Sequence, residues 1–330
     1  LFLSSQEPNE LLQHLRPDWN EKTQLPLAEK AQLVAIALNE LFPWRAALSE
    51  AIAYEPFCAS FLTQPDLFLR LRPGKEAVVK NKLQQAGIAF REIDASCLAL
   101  PNASKIDTVI ETDREAVIQD YSSQRIGELM EFIRDASDSA IATADKSTTL
   151  SVPRVWDACA ASGGKSILAN DLFPRIDLTV SDVRKSILIN LEKRFATAGI
   201  KHYHSFIADL STSPLLRQGF GGQAFDIIIT DVPCSGSGTW SRTPEQLYYF
   251  DPQQIERYSA LQKKIVQQAI PHLKPGGFLL YCTCSVFKKE NEEVVQYIQE
   301  QHSLQLLKKE LLTGYTQKAD TLFGAVFQKK

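Results

Sequence analysis

A chain of 330 residues is long enough for about two or three domains and a sizeable core. With 44% apolar and 23% charged residues it has the make-up of a soluble globular protein, and no apolar run reaches the length of a membrane span. The net charge of −3 excludes a chain-wide basic footprint for nucleic acid but not a local basic groove, and the six cysteines lack the regular spacing of a secreted disulfide framework, so a reducing, cytoplasmic setting is expected.

Residues 1–65 read as helical. Leu33, Ile36, Ala37 and Leu41 share one side of a helix expected over Leu27–Leu41; Pro43 breaks the chain, and a second amphipathic stretch runs to about Leu62. Nothing in this segment demands chemistry, and packing or docking is the expected role. Residues 66–115 then read as a small α+β domain. Phe68-Leu69-Arg70-Leu71-Arg72 alternates as a half-exposed strand should, Pro73-Gly74 turns, and Glu76–Gln85 forms a helix stopped by Gly87. Ile88–Ile93 and Cys97–Leu100 follow as short strands, an order like that of an RNA-recognition sheet without the aromatic residues that stack bases. Arg70, Arg72, Lys75, Lys80 and Lys82 are candidate phosphate contacts; the alternative is that they form a solvated basic face. Residues 116–330 form the third expected domain. A strand runs into a helix between Arg114 and Ile133, and the polar run Ser137–Leu150 is expected as an exposed loop.

Strands and helices alternate from Val152 onward. The first strand ends in Asp157-Ala158-Cys159-Ala160-Ala161-Ser162-Gly163-Gly164-Lys165, where small residues let a ligand lie against bare backbone at a helix N-terminus. The spacing is neither that of a Walker loop nor G-x-G-x-x-G. The strands expected at Asp177–Ser181 and Tyr203–Ile207 end at Asp182 and Asp209, and a loop with three glycines, Gln218–Gln223, leads to Phe225–Ile229 and Asp231. Four strand-terminal aspartates, Asp157, Asp182, Asp209 and Asp231, suggest one crevice for a nucleoside-like cofactor, with Asp182 placed for ribose hydroxyls. Without a pyrophosphate fingerprint, S-adenosyl-L-methionine is favoured over NAD.

After Asp231 come Pro233, Cys234, Gly236 and Gly238. A long helix carrying Ile255, Tyr258, Leu261, Ile265 and Ala269 follows, then a Pro-Gly-Gly turn and the strand Phe278–Ser285. Cys282 and Cys284 fall on one side of that strand if it continues to its end. Glu290-Asn291-Glu292-Glu293 reads as the acidic first turn of another helix, and Leu304–Leu307 and Leu322–Gln328 as the last strands. Cys159, Cys234, Cys282 and Cys284 could converge on zinc, but no pair has C-x-x-C spacing, so no metal is expected.

DACAASGGK at 157–165, DVPCSGSG at 231–238, SRTPE at 241–245 and YCTCS at 281–285 resemble the Sun-type RNA 5-methylcytosine methyltransferases, above all the bacterial small-subunit ribosomal RNA enzymes. QDYSSQ at 119–124 and LFGAVFQ at 322–328 also look like family segments, and the likeness covers roughly residues 66–330. The resemblance implies a Rossmann-like class I methyltransferase domain of α/β architecture behind a small RNA-recognition-like domain. It implies Cys284 as nucleophile, Cys234 as the group assisting release, and Asp231 and Lys165 ordering the reacting base. Cys159, Ala160, Ala161, Ser162, Gly163, Gly164 and Lys165, with Asp182, Asp209, Asp231 and Pro233, would hold the cofactor, and Arg70, Arg72 and Arg242 would contact RNA. The chain departs from the family's pattern at Ser162, where proline is usual, and at Cys282, where serine is common; its N-terminal helices are shorter than the family's NusB-like domain.

The residue types suit this chemistry. Carbon 5 of cytosine is a weak nucleophile until a thiolate adds at carbon 6, and cysteine both attacks and leaves readily near neutral pH. The expected partner is RNA, with 16S ribosomal RNA ahead of transfer RNA, and a monomer with no DNA or membrane partner. A non-catalytic RNA-binding assembly factor and a small-molecule methyltransferase are the alternatives.

Overall fold

The computed structural model describes residues 1–143, 152–212 and 224–330. The N-terminal helices are short: α1 (Glu10–Leu15), α2 (Pro17–Asn20), α3 (Leu27–Leu33) and α4 (Tyr54–Ser60). The helix expected over Leu27–Leu41 stops at Leu33, where Ile36 N donates to Ala31 O and Ala35 takes a left-handed turn (φ 55°). Leu33 and Ile36 are consequently exposed rather than core. The turn redirects the chain so that Phe42 and Trp44 reach Phe57, Trp240, Phe250 and Phe287 in one aromatic cluster.

A four-stranded antiparallel sheet comes next: β1 (Leu67–Leu71), β2 (Arg91–Glu92), β3 (Cys97–Leu100) and β4 (Ala116–Ile118), in the order β2-β3-β1-β4. Its fourth strand comes from residues beyond the boundary expected at 115/116. Helix α5 (Glu76–Gln85) covers one face, with Val79 and Leu83 against Leu69, Leu71 and Leu98. The other face, free in a solitary RNA-recognition sheet, is buried. Phe68, Cys97 and Ala99 pack on Ala319 and Tyr121, and four successive residues of β1 are buried, so the half-exposed strand expected there is not observed.

Helix α6 (Tyr121–Thr143) runs through the first part of the loop expected at Ser137–Leu150; the rest of that loop, like Gln218–Gln223, lies outside the described residues. The large sheet contains β5 (Arg154–Asp157), β6 (Asp177–Asp182), β7 (Tyr203–Ile207), β8 (Phe225–Asp231), β9 (Leu273–Thr283), β10 (Leu304–Leu312) and β11 (Leu322–Lys329). Their order is β10-β11-β9-β8-β5-β6-β7; β5 to β9 are parallel, and β11 is antiparallel to both neighbours. α7 (Gly164–Leu172), α8 (Lys185–Ala198) and α6 cover one face through Ile167, Leu191, Phe195 and Ile133. After the short α9 (Gln246–Tyr249), α10 (Gln253–Ala269) and α11 (Glu292–Gln301) cover the other face through Ile265, Val266, Val294 and Ile298. The chain reverses direction across the sheet between β5 and β8, so a crevice opens at the carboxyl ends of these strands. No described helix is long and apolar enough to cross a membrane.

Candidate active site

The first wall of the crevice is the turn from β5 into α7. Gly163 caps the helix at φ +84°, and a Cβ there would lie 2.7 Å from the Phe195 ring, so only glycine fits. Ala161, before it, is also left-handed (φ 45°). Asp157 ends β5 fully inside the protein. Ser166 Oγ donates to its Oδ2 (2.6 Å), while Oδ1 finds no partner among the described residues. Burial, helped by the charges of Asp231 and Asp182, pushes the Asp157 carboxyl up to about 7.

Asp182 at the end of β6 accepts from Ala161 N (3.1 Å), which ties the turn to the next strand, and from Arg184 Nε (3.0 Å) and Nη2 (3.1 Å). Burial works against its charge, but these bonds outweigh it and hold the carboxyl below its ordinary value. Asp209 accepts from Ser211 N and Oγ (2.9 and 2.6 Å), which lowers its pKa likewise. Asp231 ends β8, and the buried Lys165 Nζ donates to its Oδ2 (2.6 Å). Burial opposes the lysine charge, yet Asp231 more than compensates and keeps Lys165 a cation.

β9 ends at Thr283, one residue before Cys284, so the strand does not continue as far as Ser285. Cys282 is sealed in the core, whereas Cys284 is half-buried and reaches the crevice. Cys234 Sγ lies 3.2 Å from Cys284 Sγ. Hydrogen bonding to Cys284 and burial push the Cys234 thiol well above its ordinary value, so it holds its proton. Cys159 is held as a thiol by burial beside Asp157, Asp231 and Asp182. Among the described residues no three His, Cys, Asp or Glu side chains could hold a metal ion.

The crevice encloses about 430 Å³. Of the residues anticipated for a cofactor, Cys159, Ala161, Asp182, Asp209, Asp231 and Pro233 line it, together with Cys234 and Cys284. Ala160 and Lys165 lie behind this lining, Ser162 O and Oγ accept from Arg194 Nη1, and Gly163 and Gly164 open the helix. Arg184, Ser211, Leu261 and Ile265 also line the crevice and were not anticipated. The first two sit two residues after a strand-terminal aspartate, and Leu261 and Ile265 sit four apart on one helix face, the only signals the chain carries for them.

The three arginines anticipated for RNA are engaged elsewhere. Arg70 Nη1 and Arg72 Nη2 meet the two oxygens of Asp171 (2.5 and 2.8 Å) inside the junction between the two sheets. Buried there and hydrogen-bonded also to Gln119 Oε1 and Asp113 O, the two guanidinium groups are turned inward rather than presented to a phosphate. Arg242 spans Asp120 (2.7 Å) and Asp320 (2.8 Å). Glu290, read from its neighbours as part of an acidic helix turn, instead precedes α11 and is fully buried.

Residues 148–323 match the family model for the 16S rRNA methyltransferase RsmB/F. The chain is 27% identical over 255 residues to the probable ribosomal RNA small subunit methyltransferase B of Bacillus subtilis, covering 76% of this chain and 53% of that protein. It is 29% identical over 205 residues to the ribosomal RNA small subunit methyltransferase B of Xanthomonas campestris, covering 60% and 42%. It thus spans about half the length of these relatives or less. A mouse 28S rRNA (cytosine-C(5))-methyltransferase is 33% identical over 164 residues, covering 47% of this chain and 19% of that protein. Among solved structures, a methyltransferase homolog protein from Pyrococcus horikoshii superposes with a TM-score of 0.66 at 19% identity, covering 92% of this chain and 98% of that one. NSun6 from the same organism, solved with SFG, gives 0.68 at 14% identity, covering 84% and 94%. These likenesses show a Rossmann-like class I methyltransferase fold, and with a family model matched over more than half its length the chain belongs to the RsmB/F family of 16S rRNA methyltransferases.

Proposed function

We propose that this chain methylates carbon 5 of a cytosine in RNA, with small-subunit ribosomal RNA as substrate, Cys284 as nucleophile and Cys234 as the thiol that aids release. The observation that carries this reading is the pair of sulfurs 3.2 Å apart at the crevice, on loops fifty residues apart in sequence. A non-catalytic RNA-binding factor has no need of two apposed thiols beside a ligand cleft.

The donor set fits S-adenosyl-L-methionine. Three carboxylates, Asp182, Asp209 and Asp231, line a crevice whose size suits a nucleoside ligand, and together they suit a cationic ligand bearing hydroxyl and amino donors. When bound, the cofactor supplies the methyl group. Arg184 caps Asp182 from an exposed position, where the ion pair is weak, so a ribose can replace it. Lys165 Nζ donates to Asp231 Oδ2 and so fixes the orientation of that carboxylate in the crevice. The Cys284 thiolate adds to carbon 6 of the base and carbon 5 takes the methyl group; carbon 5 then gives its proton to water, and the electron pair left behind re-forms the double bond to carbon 6 and expels the thiolate. Asp231, half-open to the crevice, can accept a hydrogen bond from the exocyclic amine of the base. The target base must be unstacked to enter, which a single-stranded loop makes easier. The same reading puts the protein in the cytoplasm as a monomer.

The test is methyl transfer to small-subunit RNA. Cys284→Ser is expected to lower turnover by at least about a thousandfold. Cys234→Ala is expected to accumulate a covalent RNA–protein adduct visible as a slower band, because addition survives while release fails. A wild-type chain that binds RNA and transfers no methyl group to ribosomal or transfer RNA would establish the assembly-factor reading instead.

A further inference from the structure

We propose that Glu290 is a positioning residue whose buried carboxylate clamps the Cys234 loop to the Cys284 loop and so sets the distance between the two sulfurs. The proposal rests on the role given to the two thiols above. Oε2 accepts from Ser235 N (2.8 Å) and from Gln262 Nε2 (3.1 Å), and Oε1 accepts from Ser285 Oγ (2.9 Å). Ser235 and Ser285 are the residues immediately after the two cysteines. One side chain therefore grips both loops one residue from each sulfur. Gln262 extends the grip, since its Nε2 also donates to Pro233 O (3.0 Å), the residue before Cys234.

The two loops lack the regular strand pairing that would otherwise set their spacing. β8 and β9 are last in register at Asp231 and Cys282, before either thiol is reached. Beyond that point Gly238 N donates to Cys284 O (2.9 Å), and the hydroxyls of Ser235, Ser237 and Ser285 lie 3.0–3.2 Å apart. Glu290 anchors this hydroxyl cluster. Among the described residues no cation pairs with it, and burial raises its pKa against the pull of its donors. A fully buried carboxylate is costly to desolvate, and an apolar side chain would fill the space more cheaply. Only a carboxylate offers two acceptor oxygens at this reach, which three donors on separate elements require.

The two thiols provide a readout that needs neither RNA nor cofactor. Diamide, a two-electron oxidant, converts two thiols to a disulfide and is itself reduced to the hydrazine. In the wild-type chain the Cys234–Cys284 peptide link is expected to form rapidly by mass spectrometry. In Glu290→Ala, at a temperature where melting shows it folded, linkage is expected to slow at least about tenfold. Glu290→Gln, which keeps shape and one acceptor, should fall between. In methyl transfer the alanine variant should lose kcat while KM for RNA changes less than about twofold. If the alanine variant does not fold, Ser285→Ala, which removes one donor to the carboxylate, must slow linkage in the same direction. Wild-type linkage rates in the folded variants would overturn the proposal. So would slowing matched by equal exposure of Cys58, Cys97 and Cys282 to alkylation, which would mean general loosening. Slow linkage in the variants together with no methyl transfer by the wild type would leave the clamp standing and reject the activity.

Discussion

Asp157 shows how one atom's surroundings set a measurable property. Its carboxyl ordinarily titrates at 3.8 but is raised to about 7 in the folded chain by burial and by neighbouring carboxylates. Below pH ~4 the group is protonated in both folded and unfolded chains and imposes no charge penalty. Between pH ~4 and ~7 the unfolded chain gives up the proton while the folded chain keeps it, so stability falls as pH rises, and above that window the loss levels off. Asp157→Asn keeps an acceptor for Ser166 and removes the charge. Relative to wild type it should gain stability as pH rises through the same window, by on the order of a few kcal/mol. Denaturant midpoints on both sides of the window check this; parallel curves would mean that Asp157 does not titrate there. Asp231 also ends a strand, and there Lys165 Nζ donates at 2.6 Å, whereas Asp157 accepts from Ser166. Sequence marks both residues equally, and only their neighbours separate them.

At the scale of elements, the site depends on loops packed so closely that a single methyl group cannot be added. A Cβ on Gly238 would lie 1.9 Å from the carbonyl oxygen of Thr321 and 3.0 Å from that of Cys284. Both obstacles are backbone and cannot rotate away. Gly238→Ala should therefore destabilise the chain by on the order of several kcal/mol and lower turnover with it, as melting and methyl transfer would record. Gly164→Ala, with nothing within 4 Å of the added carbon, should leave the melting temperature nearly unchanged. The alternating strands and helices were legible because apolar period is a local property. The end of α6 was not, because the polar stretch after Ser137 carries no period to read, yet helix continues to Thr143. Helix α3 misled in the opposite sense. Its apolar spacing continues past Leu33, but the chain turns to deliver Phe42 and Trp44 to an aromatic cluster that Trp240, Phe250 and Phe287 complete from about two hundred positions away or more.

Across the whole molecule, Asp171 on α7 joins the two sheets. Arg70 and Arg72 converge on its carboxylate, and all three side chains are nearly buried. Asp171→Ala would leave two guanidinium groups without their counter-ion, a change that costs about 3–5 kcal/mol for a buried pair. Urea unfolding should show that loss, with the small sheet separating from the large one in a broadened transition. An unchanged midpoint would mean that water replaces the carboxylate there. Arg194 with Asp113 (2.6 Å) and Arg242 with Asp120 and Asp320 make the same junction elsewhere. The arginines that looked available for phosphate are thus spent holding the molecule together.

By itself the sequence determined the alternation of strands and helices, the aspartates that close four parallel strands, and the two cysteine motifs. Each of these lies within a dozen or so residues and is imposed by backbone geometry or by the chemistry of one short loop. Tertiary structure alone decided how closely Cys234 and Cys284 approach, that Cys282 is sealed away, that Glu290 turns inward, and that Arg70 finds Asp171 a hundred and one residues along the chain. Periodicity reports that a face is covered but not what covers it. The choice of partner is made only when distant segments close on one another and each buried charge must find its counterpart.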